Sequence, residues 1–472
     1  MESNISFLMQ YIFNNNIILY HGLIISGEIL IMSVLFHMLY KRRTPTSIIA
    51  WLLSMILIPY ISIVLYFIFG SRKRKDRYKK ANLKLQKRKS NYTKSNPLHE
   101  ILQSHGIADA SKNENFEIYS DPVSAYKIFI DCIEDSKTSI YISTYLFAYD
   151  NVTKQIIDSL IKKAKDGVKI KILIDSLGSL KLYLLQYRLK ELRDAGAEIR
   201  FFMPIFQMPF RNYINLRNHR KIYIFDDKKI LSGGMNLSSE YFGPLTNKSR
   251  WKDLLFLAEG SSTELFFELF ASDWLYASKE RLVFTNYKID NIKGDTFIQV
   301  VPSGPDMQND VLYEALLSAI YSAKKRIWIV TPYFIPNSSL IQSLIIAKHK
   351  GIDVKLITPK ESNHILTNLT RSSYMRELED VGIEVALYNE AMLHAKAILF
   401  DDSGVMLGSV NLDNRSLFLN YEVATFVYSD KVIKEIVLWI KSLLLSSSNG
   451  IKELSVPKRV LENLMRILAP QL

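Results

Sequence analysis

Two stretches of this sequence set an imidazole, an ammonium and a carboxylate at the same spacing. The first runs His219-Arg-Lys221 and then, past four residues, Asp226; the second runs His394-Ala-Lys396 and then Asp401. Each continues into a small-residue turn that ends on an amide, Gly233-Gly234-Met-Asn236 and Gly408-Ser409-Val-Asn411. From each lysine onward the residues alternate as in a β-strand, which puts His and Lys on one side of a sheet. A lone His-x-Lys says little, and a single histidine is more often structural. Two full motifs at equivalent places in a repeat argue for one site built from both.

These parts suit exchange at a phosphodiester. One imidazole attacks phosphorus and becomes a phosphohistidine, while the other protonates the leaving alkoxide and later deprotonates the incoming alcohol. Two lysines and two asparagines, Asn236 and Asn411, meet the charge on the non-bridging oxygens. Gly234 offers the phosphate only backbone, where the second copy adds the hydroxyl of Ser409. With fixed cations in place the reaction calls for no metal and no other cofactor. Each imidazole needs a carboxylate on its second nitrogen. Glu422, eleven residues after Asn411, and its first-copy counterpart Asp253 are the expected pair. Asp226 and Asp401 complete the catalytic motifs, and their expected task is to end a strand and brace its turn. His21, His37, His99, His105, His349 and His364 lack such a context and are expected in surface or core roles.

The elements around the motifs repeat. Ser139-Ile-Tyr-Ile-Ser-Thr-Tyr-Leu-Phe147 matches Arg326-Ile-Trp-Ile-Val-Thr-Pro-Tyr-Phe334 as a buried strand. A helical stretch, a Gly turn (Gly167, Gly351) and a second strand follow each, and then another helix, Gly turn (Gly196, Gly382) and strand. Strands alternating with helices predict a mostly parallel α/β sheet in each half, and so long a period means a duplicated domain. The first half has a longer apolar, aromatic loop from Met203 to Arg211 and onward, either a packed flap or a lip that touches lipid.

The N-terminal part differs in kind. Ile17–Tyr40 and Ile48–Phe69 are each long enough to cross a bilayer as a helix. The second is cleaner, with no charge and one proline, Pro59, and is the firmer candidate; the first holds His21, Glu28 and His37 and either crosses or is shallow or re-entrant. Residues 1–16 have no basic region, so a secretory signal peptide is not expected. Twelve basic residues follow between Arg72 and Lys94. They are either a solvated linker or a binder of anionic headgroups, and the positive-inside rule puts them in the cytoplasm. Lys41-Arg42-Arg43 conflicts with this, because two full crossings would leave it outside. The net charge is +13, which suits an anionic partner, and the single Cys132 excludes an intramolecular disulfide and a cysteine-based zinc cluster. The expected layout is membrane segments in 1–70 (about 17–40 and 48–69), a basic linker in 71–115, and α/β domains in 116–290 and 291–472.

With these residues in view, the sequence resembles the phospholipase D superfamily and, within it, the bacterial cardiolipin synthase family. The resemblance covers nearly the whole chain. Arg43-Thr-Pro-Thr-Ser47, Ala50-Trp-Leu-Leu53 and Tyr66-Phe-Ile-Phe-Gly70 look like that family's membrane hairpin. Val301-Pro-Ser-Gly-Pro-Asp306, Thr331-Pro-Tyr-Phe-Ile-Pro336, Asn411-Leu-Asp-Asn-Arg-Ser416 and Leu468-Ala-Pro-Gln-Leu472 resemble it further on. The resemblance implies two α/β sandwich domains meeting at one site, and condensation of two phosphatidylglycerols into cardiolipin and glycerol. It implies His219 as nucleophile and His394 as acid, a membrane-held enzyme with a cytoplasmic catalytic part, and no nucleic-acid partner. A hydrolase or nuclease of the same fold shares the bond chemistry and differs only in its acceptor. A catalytically silent lipid binder would not keep both motifs intact.

Overall fold

Each histidine motif folds as a β-hairpin, and that decides the character of the sheet. The computed structural model describes residues 2–41, 43, 45–69, 92, 95–206, 215–284, 294–307, 309–451 and 454–466. The basic residues between Arg72 and Lys94, and residues 207–214 of the apolar loop, lie outside them. The chain forms two units, residues 1–72 with 208–215, and a larger catalytic body of residues 73–207 and 216–472.

In the first half of the body the strands are β1 (Ser111–Tyr119), β2 (Ser139–Thr144), β3 (Lys169–Asp175), β4 (Glu198–Phe202), β5 (Ile222–Phe225), β6 (Lys229–Gly233) and β7 (Leu255–Gly260). In the second they are β8 (Thr296–Ser303), β9 (Arg326–Val330), the short β10 (Phe334–Ile335), β11 (Asp353–Pro359), β12 (Glu384–Tyr388), β13 (Ala397–Phe400), β14 (Gly404–Gly408), the short β15 (Leu412–Asp413), β16 (Glu422–Tyr428) and β17 (Ser447–Asn449). Fifteen of them make one sheet, β17-β12-β11-β9-β13-β14-β16-β8-β1-β7-β6-β5-β2-β3-β4. The two halves read outward from the antiparallel β1–β8 pair in the same order, so the duplication is visible in the topology.

The sheet is mixed, which corrects the expectation of a mostly parallel one. Only β2–β3–β4 and β9–β11–β12 run parallel, with helices in their crossovers. The motif strands β5–β6 and β13–β14 are antiparallel hairpins, since their turns are far too short for a crossover. Helices cover both faces, so β2, β9 and β16 are buried almost from end to end. A separate apolar core fills each half.

Asp226 and Asp401 sit at the hairpin turns with φ of 53° and 51°. Such left-handed positions are tolerated by Asp, whose short side chain bonds nearby backbone. The Asp226 carboxylate accepts the N–H groups of Lys137, Thr138 and Ser139 at 2.7–3.0 Å. Asp401 accepts those of Lys324, Lys325 and Arg326 at 2.8–3.0 Å. Both lie at the far end of their strands, and at roughly 3.3 Å per residue each is about 16 Å from its lysine. The geometry therefore removes these two from the catalytic set and makes them braces.

In the N-terminal unit, α1 (Glu2–Tyr40) is continuous and contains the apolar span Leu19–Tyr40. The second apolar run is not one helix. It breaks into α2 (Pro45–Leu57) and α3 (Pro59–Phe69), because Pro59 supplies no N–H and clashes with the preceding turn. The two pieces fold back on each other: Trp51 and Tyr66 meet edge-to-face at 5.4 Å, and Ser62 Oγ donates to Ser54 O at 2.7 Å. Against α1, Tyr60 donates to Leu23 O at 2.8 Å and the Tyr66 hydroxyl meets His37 Nδ1 at 2.6 Å. So α3 ends beside the end of α1. At 1.5 Å per residue, α2 reaches about 20 Å, short of a bilayer core of about 30 Å. The sequence-based expectation is thus reversed: the charged first run is the membrane-length helix, and the clean second run is the folded-back one.

Candidate active site

The hairpin strands begin where the parallel strands end, and that junction is the usual place for a ligand in an α/β sheet. His219 and Lys221 lead into β5, and His394 and Lys396 into β13. All four are buried, with His219 8% and His394 4% exposed.

Backbone bonds between the halves strap these segments together. His219 N–H donates to Tyr421 O (2.8 Å), and Tyr421 N–H returns to Arg217 O (2.9 Å). His394 N–H donates to Lys252 O (2.7 Å), and Lys252 N–H to Met392 O (2.8 Å). Each histidine is thereby set against the carboxylate of the opposite half. His219 Nδ1 lies 3.0 Å from both oxygens of Glu422, and His394 Nδ1 lies 2.7 Å from Asp253 Oδ2. A carboxylate only accepts, so Nδ1 carries the proton in both rings and Nε2 carries the lone pair.

The electrostatics follow from burial. Burial opposes charge on Glu422, yet His219 and Lys221 hold its carboxyl below the usual range. Lys396 and His394 do the same for Asp253. Burial lowers His219, and burial with the Lys396 ammonium drives His394 down to about 3. Burial also pushes Lys221 down to about 7 and Lys396 to about 8. A site so charged and so dry is built to receive an anion. The lysines differ in reach: Lys221 Nζ donates to His219 O at 2.8 Å, whereas Lys396 Nζ also stands against the His394 ring, 2.8 Å from Nδ1 and 3.2 Å from Nε2.

The expected phosphate ligands are placed unevenly. Ser409 Oγ bonds Glu422 and receives the Val423 N–H, and Gly234 N–H pairs with Leu254 O. Both are engaged in holding the carboxylate segments, which corrects their reading as phosphate contacts. Asn236 Nδ2 donates to the Tyr241 hydroxyl at 2.8 Å, and its carbonyl takes the Leu146 N–H. Asn411 Oδ1 is buried with no hydrogen-bond partner; an amide oxygen only accepts, so it suits a ligand hydroxyl and not an anionic phosphate oxygen.

Other residues at the site carried no motif signal. Arg220, the middle residue of the first motif, is fully buried and donates to Asp273 (2.8 Å), Asp306 (3.0 Å) and Glu422 O (3.1 Å), tying the halves together. The two acids keep it ionised despite burial. Asp175 grips Arg217 Nε at 3.0 Å and the Asn218 N–H at 2.9 Å. Tyr145 packs on His219 at 4.9 Å, and Tyr241, Trp251 and Tyr333 surround His394 at 5.2–6.3 Å. Arg220, Tyr145, Tyr333 and Asp306 stood within stretches whose sequence pattern drew notice, but nothing in the pattern gave them a role at the site.

The Gly234/Ser409 difference has a steric cause. A Cβ at 234 would stand 2.2 Å from Asp253 Oδ1, while Glu422, one methylene longer, leaves room for Ser409. Gly234→Ala is expected to displace Asp253 and to cut kcat at least tenfold through His394. The check is an NMR titration of the two imidazoles, in which His394 shifts and His219 does not; the opposite pattern would refute the crossed pairing.

Comparison with known proteins agrees with this geometry. The family model "Cardiolipin synthase, PLD-like domain" matches residues 129–274 and 316–444, and "Phospholipase_D-nuclease N-terminal" matches residues 29–71. Cardiolipin synthase 1 of Bacillus anthracis is 31% identical, covering 98% of this chain and 97% of that protein. The major cardiolipin synthase ClsA of Bacillus subtilis is 30% identical over 91% and 94%. The crystal structure of phosphatidylserine synthase from Haemophilus influenzae shares the fold, with a TM-score of 0.60 at 15% identity over 80% of this chain and all of that one. With two histidine motifs on a duplicated sheet and full-length relatives of this kind, the chain is an enzyme that belongs to the cardiolipin synthase family of the phospholipase D superfamily.

Proposed function

We propose that this enzyme joins two phosphatidylglycerols into cardiolipin and releases glycerol, by way of a phosphohistidine on His219. The observation that carries the proposal is the pair of buried imidazoles, each with Nδ1 tied to a carboxylate and Nε2 available for chemistry. Their difference supports the roles. The Lys396 ammonium lies against both nitrogens of the His394 ring, while no such contact is made at His219 Nε2 among the described residues, which leaves that lone pair free to attack.

The anionic phosphate of the first lipid raises the pKa of both lysines and of His394, since each then faces a negative charge. His219 Nε2 attacks phosphorus, the P–O bond to glycerol breaks, and protonated His394 gives its proton to the leaving alkoxide. His394, now neutral, takes the proton from the terminal hydroxyl of the second phosphatidylglycerol. That oxygen attacks phosphorus, the P–N bond breaks, and His219 is restored. Lys221 and Lys396 hold the non-bridging oxygens through both displacements. Asp253 and Glu422 act as positioning residues through the histidines.

Products decide this reading. Purified enzyme in phosphatidylglycerol vesicles is expected to release one glycerol per cardiolipin, whereas phosphatidic acid as main product would make it a hydrolase. His219→Ala is expected to abolish the acid-labile phosphoenzyme, and His394→Ala to slow its formation; the converse result would exchange the two roles. The pH profile tests the lysines. Deprotonation removes the cation, so kcat/KM is expected to fall as pH rises through about 7 to 8. In Lys221→Arg, which stays charged, that limb should move to higher pH; a wild-type profile flat to pH 9.5 would contradict the assignment.

We also propose that α1 crosses the membrane and that α2 and α3 dip into it and return. Lys41-Arg42-Arg43 and the basic stretch after Phe69 then share one side, the cytoplasmic one, and the conflict between them in the positive-inside rule disappears. In a Cys132→Ser background, Arg43→Cys and Arg72→Cys should label with an impermeant reagent from the same face of sealed vesicles. Labelling from opposite faces would show that the second run spans.

A further inference from the structure

The C-terminal helix Val456–Met465 is built inside out. At 100° per residue, Val456, Val460, Leu464, Leu461 and Met465 share one half of its surface, and Lys458, Arg459, Glu462, Asn463 and Arg466 share the other. On the polar half, Glu462 and Arg466 face the protein, and Lys458, Arg459 and Asn463 stay exposed along its edges. Glu462, 6% exposed, pairs with Arg376 at 2.9 Å, and Arg466 pairs with Glu377 at 2.6 Å and lies over the Tyr374 ring. Asn463 accepts from Ser373, and Arg459 stands 3.5 Å from Asp380. The apolar half faces out, with Val456, Val460, Leu464 and Leu461 76%, 62%, 57% and 48% exposed. Ten residues are too few for a helix to persist alone in water. Ion pairs, not an apolar face, hold this one to the body, so its apolar face remains free for another medium.

We infer that this helix lies in the headgroup–acyl boundary of an anionic bilayer and docks the catalytic body on its substrate's surface. The inference rests on the phospholipid-transfer reading for its occupant. An apolar face backed by a polar one with three cations to one anion (Lys458, Arg459 and Arg466 against Glu462) is the pattern of an interfacial helix on anionic lipid. A second copy is the weaker occupant, because a helix about 15 Å long and 10 Å wide falls far short of the roughly 800 Å² per partner of a stable interface. The placement also serves the site. The helix runs antiparallel to Ile365–Asp380, pairing Arg459 with Asp380 and Arg466 with Glu377, so its C-terminal end points back toward that helix's start. There Asn363 accepts from Tyr333, which packs against His394. A bilayer that receives the helix at a depth of about 5–10 Å sets its headgroups near that opening.

The test uses the full chain in phosphatidylglycerol vesicles, in a Cys132→Ser background. An environment-sensitive dye on Val460→Cys should shift to the blue and be quenched by shallow spin-labelled lipid several-fold more than the same dye on Lys165→Cys, which is exposed and polar. Equal quenching at the two positions overturns the inference. So does cross-linking of Val460→Cys between copies in detergent with no lipid quenching, which would assign the face to a second copy. Val460→Asp with Leu464→Asp is expected to lower turnover on vesicles by roughly tenfold, the scale of losing one buried aliphatic side chain. Turnover on short-chain, monomeric phosphatidylglycerol should be spared, and equal loss on both substrates overturns the inference. The quenching readout does not depend on turnover, so a failure of the catalytic reading remains distinguishable.

Discussion

The crossed pairing of each imidazole with a carboxylate from the other half is the constraint on which the rest of the site depends. A motif with its own half alone would have a histidine with no partner on Nδ1, and so no fixed tautomer and no defined Nε2. The fifteen-stranded sheet, the backbone straps at Tyr421 and Lys252, and the buried Arg220 all serve to keep the halves in one register. Burying Arg220 with two acids is expensive in desolvation and is sustained only because every partner is in place. The arrangement explains why so many charges tolerate so dry a position: each is balanced from across the seam.

Much of this was legible in the sequence, because the relevant signals are local. Period-two alternation after Lys221 and Lys396 marked the motif strands, and the paired Gly turns marked the duplication. Glu422 and Asp253 were found by their equivalent positions, but that they cross between halves was not, since pairing across a seam leaves no trace in spacing. The mixed sheet was misread because hairpin turns at Asp226 and Asp401 carry no Gly and look like strand ends. Ser409 was misread for a similar reason. Its hydroxyl was assigned by analogy with phosphate turns, and only the three-dimensional reach of Glu422 shows where it is engaged.

The membrane part was misread by composition. Hydropathy ranked Ile48–Phe69 above Ile17–Tyr40, yet one proline outweighs a flawless apolar run when the question is whether the helix is straight. Across the break, Ser54 O keeps its helical bond from the Ile58 N–H and also accepts the Ser62 hydroxyl, which ties the start of α3 to the end of α2. Catalysis and anchoring thus follow one rule: polar groups are buried where their partners are already arranged.

The folded-back hairpin bears on how such a chain enters a membrane. A second full crossing would have to carry Lys41-Arg42-Arg43 through the hydrocarbon, against the electrical potential. A hairpin that returns carries no basic loop to the far side. On the proposed path α1 takes Glu2–Ile18 to the far side, and that stretch contains no lysine or arginine at all. On that path the proline that breaks the second run spares the insertion machinery its most costly cargo, the basic loop.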